Sequence, residues 1–168
     1  MLHVLLLRHA KSSWVNPEIS DFDRPINKRG KRAAKAIGAW LAKEELNPDR
    51  VLSSSARRTR ETWEGMKLPG QPDLRKELYH AGPEEMLAML QAVTPGAGTI
   101  LMIGHNPGVA ELAHMLVAEQ PDHPRFDDYP TGALLVAGFD VKTPAEIAPG
   151  SGQVVRFLTP HDLLDEPD

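Results

Sequence analysis

Short apolar runs alternate along the chain with stretches whose apolar positions recur every three or four residues. That alternation predicts buried strands with helices laid against them. Residues 4–7 read as a first buried strand. Asn27 then precedes a helix carrying Ala33, Ile37, Trp40, Leu41 and Leu46 at roughly helical spacing. Residues 50–52 form a short second strand, followed by a helix that starts near Ala56 with Ser55 as its cap. Gly82 and Pro83 introduce a helical stripe of Met86, Leu87, Met89, Leu90 and Val93, whose methionines suit a core. Residues 99–103 make a third strand, ended by Gly104-His105-Asn106-Pro107-Gly108 and followed by a helix with Val109, Leu112, Ala113, Leu116 and Val117. Residues 133–139 and 153–158 read as two last strands that pair with each other. The order predicts an α/β three-layer sandwich, a mostly parallel central sheet flanked by helices.

Composition narrows the class. A chain of 168 residues suits one domain, 1–168, that buries roughly two-thirds of its unfolded surface. Residues 160–168 carry four acids and are expected to fray. The absence of cysteine excludes disulfides, thiolate metal sites and thiol phosphatases. A net charge of −4 argues against nucleic acid as a partner. No apolar run is long enough for a membrane helix, and residues 1–10 lack the charged leader and cleavage site of a signal peptide, so a soluble cytoplasmic protein without a membrane partner is expected.

The chemistry gathers at strand ends. His9 follows the first strand, Arg57 and Arg58 follow the second, and His105 follows the third. In a parallel sheet these ends share one edge, the edge where α/β proteins hold ligands. Arg8 offers fixed charge to an anion, and His9 an imidazole able to attack or to move a proton. Arginines in a first helical turn oppose the helix dipole, so a bound anion would give both a reason to be there. The set predicts a phosphoryl group. No P-loop, HExxH or GxSxG pattern competes with that reading, and the histidines show no metal-ligand spacing. The polar segment 11–28 is long enough to cover a site. The six cations between Arg24 and Lys35 read either as a solvated helix face or as a surface that steers an acidic partner.

LLLRHAKSSW, SSSARRTRET and MIGHNPG resemble the three signature segments of the histidine phosphatase superfamily, the phosphoglycerate-mutase-like fold, and especially its SixA-like phosphohistidine phosphatases. Further similarity runs through DFDRPINKRG, ELYHAGPEEML and DDYPTGALLVAGFD, so the resemblance spans nearly everything from Leu2 to about Phe157. It implies that His9 is the nucleophile that becomes phosphorylated and that Arg8, Arg58 and His105 complete the phosphate pocket. Arg58 is preferred to Arg57 because the family arginine lies four residues before the threonine that closes its motif, here Thr62. Ala10 replaces the glycine usual after the Arg-His pair, so the turn there must accept a Cβ at negative φ. Val15 stands where sugar-phosphate mutases carry an asparagine, with Asn16 one place late, which weakens the mutase reading.

The resemblance therefore implies a metal-independent phosphatase that works without a cofactor through a covalent phosphohistidine intermediate. Its expected partner is a phosphorylated protein, such as a histidine phosphotransfer domain. The alternatives are a small-molecule phosphomonoesterase taking phosphate esters and a non-catalytic phosphate-binding module. Ester-cleaving members carry an acidic residue in the central segment. Glu77 is the nearest candidate for such a general acid, with Glu84 or His80 behind it.

Overall fold

The computed structural model describes residues 1–165. Its strands are β1 (Leu2–Arg8), β2 (Arg50–Ser54), β3 (Asp73–Arg75), β4 (Thr99–Gly104), β5 (Leu134–Phe139) and β6 (Gln153–Leu158). They form one sheet in the order β3-β2-β4-β1-β5-β6. Neighbours from β3 to β1 pair in parallel, whereas β5 runs antiparallel to both β1 and β6. The helices are α1 (Lys28–Lys43), α2 (Arg57–Met66), α3 (Pro83–Gln91), α4 (Gly108–Leu116) and α5 (Pro160–Leu164).

The two-residue side-chain period of the strands builds the layers. Leu2, Val4 and Leu6 of β1 face a cluster with Met86 and Leu90 of α3 and Leu112 and Leu116 of α4. Leu5 and Leu7 face the opposite cluster, with Ala34, Ile37 and Leu41 of α1 and Trp63 and Met66 of α2. Both faces of the sheet are covered, so its central strands are apolar throughout, and each buried leucine contributes about 1.5–3 kcal/mol. Asn27 caps α1 as its sequence position suggests, accepting from Gly30 N at 2.8 Å. Among the described residues, no helix is long and apolar enough to cross a membrane.

Three local expectations change. β3 is an edge strand of three residues, two of them exposed, too short and polar to show in a periodicity. Ser55 does not cap α2: the cap position is Ala56, and Ser54 Oγ accepts from Ala56 N at 3.2 Å. The segment from Pro160 is helical to Leu164 rather than frayed. A reciprocal capping box between Thr159 and Asp162 starts α5, and Leu163 packs against the core face that holds α1 and α2. Residues 166–168 of that expected tail lie outside the described residues.

The packing of α1 on α2 turns on Gly38. A Cβ there would lie 1.9 Å from the Met66 carbonyl oxygen and 2.7 Å from its carbon. Gly38→Ala is therefore expected to destabilise by about 1–3 kcal/mol, even though alanine favours a helix interior by roughly 0.5–1 kcal/mol. Thermal unfolding measures it: Tm should fall by several degrees, and a raised Tm would show that the helices separate at little cost.

Candidate active site

The register of β1 and β4 brings the strand ends together. Arg8 lies opposite Gly104, and His9 N donates to Gly104 O at 3.1 Å. The rings of His9 and His105 consequently sit with centroids 5.3 Å apart. Helix α2 is fastened to the same edge by Thr62, whose hydroxyl accepts from Ala10 N at 2.9 Å and donates to Arg58 O at 2.7 Å. Ala10 is fully buried and is not among the residues at positive φ. Arg58 Nε donates to His9 Nε2 at 3.3 Å. Arg57, one step round the helix, points outward to Glu61 at 3.0 Å.

Hydrogen bonds fix the protonation pattern. His9 Nδ1 lies 2.8 Å from the Ala10 carbonyl oxygen, so Nδ1 carries the proton and Nε2 keeps its lone pair. Burial, and then the charge of its neighbours, holds the His9 pKa well below the usual imidazole value. Burial likewise lowers His105 to about 3, helped by the Arg58 guanidinium. Ser54 Oγ, which accepts from Ala56 N, lies 2.8 Å from His105 Nε2. With the hydroxyl proton turned to that nitrogen, the His105 proton is assigned to Nδ1.

Among the described residues, three buried side-chain polar atoms lack a hydrogen-bond partner: Arg8 Nε, Arg24 Nε and His105 Nδ1. All are N–H donors on this assignment, and all belong to residues lining one cavity of about 250 Å³. Leaving such a donor unpaired costs about 1–3 kcal/mol, more when charged. An acceptor-rich anion removes that cost. The rest of the lining is His9, Lys11, Ser12, Trp14, Arg58, Asn106 and Thr131, which includes no carboxyl group.

Segment 11–28 forms one wall. Ser12 bridges Ile26 in antiparallel fashion, a 3-10 turn spans Asp21–Asp23, and the Arg24 guanidinium lies 3.6 Å from the centre of the Trp14 ring. Asp21 holds the wall to the site. Its Oδ2 accepts from Arg58 NH2 at 3.1 Å and from the Tyr79 hydroxyl, and its Oδ1 accepts from Arg24 NH2 at 3.1 Å. The Tyr79 bond, followed by those of Arg24 and Arg58, holds the Asp21 carboxyl far below the ordinary range. Ser54, Asp21 and Tyr79 do not emerge from sequence reasoning, and neither does Arg24 as a site residue. Asp21, Arg24 and Tyr79 all lie within segments quoted for the family resemblance, and that is the signal that marks them.

The structure thus brings His9, Arg8, Arg58 and His105 to one cavity and leaves Glu77 out. Glu77 is exposed on the 3-10 turn Lys76–Leu78 and does not line the cavity, because the buried neighbour Leu78 turns inward in its place. Glu84 is exposed at the start of α3. His80 lines a smaller adjoining pocket with Tyr79, which shares His105 and Asn106 with the cavity.

A parallel α/β edge here gathers two neutral imidazoles and three guanidinium groups around one cavity of about 250 Å³. The family follows. Residues 4–79 match the model of the histidine phosphatase superfamily (branch 1). An uncharacterized protein of Mycobacterium tuberculosis is 32% identical over 163 residues, covering 92% of this chain and 99% of its own length. A structure from Nakamurella multipartitia, named as a candidate phosphohistidine phosphatase SixA, superposes with a TM-score of 0.83 at 30% identity, over 95% of this chain and 96% of that one. The protein histidine phosphatase SixA complexed with tungstate gives 0.79 at 25% identity, over 96% and 99%. The chain belongs to the histidine phosphatase superfamily, has its phosphoglycerate-mutase-like fold, and is a SixA-like phosphatase.

Both imidazoles are neutral in the folded protein at pH values where those of the unfolded chain, with pKa near 6.5, take up protons. Their contribution to stability is complete above about pH 6.5 and is lost as pH falls toward the depressed folded values. In an NMR titration, the His9 and His105 rings are expected to stay neutral down to pH 5, and saturating phosphate should raise the His105 midpoint. A midpoint near 6.5 for either ring in the free protein would contradict the assigned environment.

Proposed function

We propose that the protein is a metal-independent phosphohistidine phosphatase acting on a phosphorylated protein. In the first step, His9 Nε2 attacks phosphorus in line and the P–N bond of the substrate breaks. The substrate imidazole, protonated by solvent on its other ring nitrogen, leaves as a neutral ring. In the second step water attacks the phosphohistidine enzyme, the P–Nε2 bond breaks, its electron pair returns to His9 and inorganic phosphate departs. Arg8, Arg58 and the Nδ1–H of His105 stabilise the equatorial oxygens as charge spreads over them.

The observation that carries this reading is the pairing of an unprotonated His9 Nε2, held by Arg58 Nε at 3.3 Å, with unpartnered donors around one small cavity. The carboxyl-free lining favours a phosphoramidate, since an alkoxide leaving group needs a strong acid and an imidazole does not. The rim favours a macromolecular substrate. Beside the cavity of about 250 Å³, Trp14 is 76% and Val15 89% exposed, an apolar surface on which the body of a protein substrate can rest.

Turnover of a phosphohistidine peptide, an aryl phosphate and sugar phosphates under matched conditions tests the substrate class. The peptide is expected to have the highest kcat/KM. A large preference for sugar phosphates would establish a small-molecule phosphomonoesterase instead. His9→Ala is expected to abolish turnover, Arg58→Ala to lower kcat by about 10²–10³, and a chelator to change nothing. Labelled phosphoryl donor should leave an acid-labile adduct on His9. Tight phosphate binding without any adduct would identify a binding module.

A further inference from the structure

Each of the three Arg58 guanidinium nitrogens makes one hydrogen bond in the structure, and the three bonds go to two residues. Nε donates to His9 Nε2 at 3.3 Å, NH1 to the Asp21 backbone oxygen at 2.6 Å and NH2 to Asp21 Oδ2 at 3.1 Å. The same carboxylate reaches Arg24 through Oδ1, and Arg24 NH1 bonds Ser12 Oγ in the cavity wall. Asp21 therefore sits behind two of the three guanidinium groups that line the cavity, with the Tyr79 hydroxyl completing its coordination. The side chain is about half exposed, at 48%, so burial does not force it into this position. Its charge does.

Resting on the phosphoryl site described above, we infer that Asp21 is a positioning residue and an internal counter-anion: its carboxylate holds Arg58 against His9 and competes with phosphoryl oxygens for the Arg24 and Arg58 guanidinium groups. Two consequences pull in opposite directions. Holding Arg58 in register keeps its guanidinium beside the nucleophile, where it turns from His9 Nε2 to the oxygens of an arriving phosphoryl group, which serves the chemical step. Keeping a negative charge behind the cavity weakens the hold on any dianion, which lets inorganic phosphate leave a site otherwise lined by three guanidiniums and Lys11. A site with the same cations and no counter-anion would bind its product more tightly and turn over more slowly.

Asp21→Asn separates these effects, because the amide keeps size and an acceptor but loses charge. Phosphate binding by calorimetry and steady-state kinetics on a phosphohistidine peptide are measured on the wild type, Asp21→Asn and Asp21→Glu, with Tm as the check on folding. The expected result is phosphate binding about tenfold tighter in Asp21→Asn, together with a kcat about tenfold lower. Asp21→Glu, which keeps the charge, should restore phosphate affinity to within about threefold of the wild type. A merely structural Asp21 would instead raise KM and weaken phosphate binding together. Weakened or unchanged phosphate binding in Asp21→Asn overturns the inference while leaving the phosphatase reading intact, whereas a wild type that binds no phosphate at all overturns both.

Discussion

Crowding three guanidinium groups and two imidazoles at one sheet edge is the constraint that the site is organised to satisfy. Like charges at this density repel, and burial removes the water that would screen them. The chain answers in three ways. Both imidazoles stay neutral, His9 with its proton directed to the Ala10 carbonyl and His105 with Nε2 capped by Ser54. Asp21 places a carboxylate between Arg24 and Arg58. The remaining imbalance is left as unpartnered N–H groups around the cavity, which an anion would satisfy.

The sheet makes the crowding possible. Because β1, β2 and β4 run in parallel, their carboxyl ends deliver Arg8 with His9, the start of α2, and His105 to one place. The antiparallel β5 contributes from its opposite end: Gly132 N donates to the carbonyl oxygens of Arg8 and His9 at 3.1 and 3.0 Å, and the Tyr129 carbonyl accepts from Arg8 NH1 at 3.2 Å. Backbone pairing therefore sets the direction in which the Arg-His pair leaves the strand. Thr62 does the same for Arg58 from the helix side.

Much of this was legible in the chain. The apolar runs of β1 and β4 are buried on both sides and so stand out from any neighbouring segment, and the Arg-His and Gly-His endings mark where each strand stops. Features set by tertiary contact were not legible. β3 is a three-residue strand whose one apolar side chain, Leu74, is exposed, and it is held by β2 alone. Ser54 and Ser55 are chemically identical, and only the geometry of the turn assigns the first of them to His105. Asp21 lies in a segment with no hydrophobic period, so its role exists only once the 11–28 wall has folded against α2. Glu77 shows the converse: a plausible residue type in a plausible segment, turned outward because Leu78 takes the buried position.

The central claim is that one small anion satisfies the open donors of Arg8 and His105 while His9 Nε2 faces its central atom. A crystal structure with vanadate tests it most directly. The account predicts vanadium bonded to His9 Nε2, with its oxygens within about 3.2 Å of Arg8 Nε and His105 Nδ1. Vanadate bound elsewhere, or bound here with either donor still unpartnered, would contradict it.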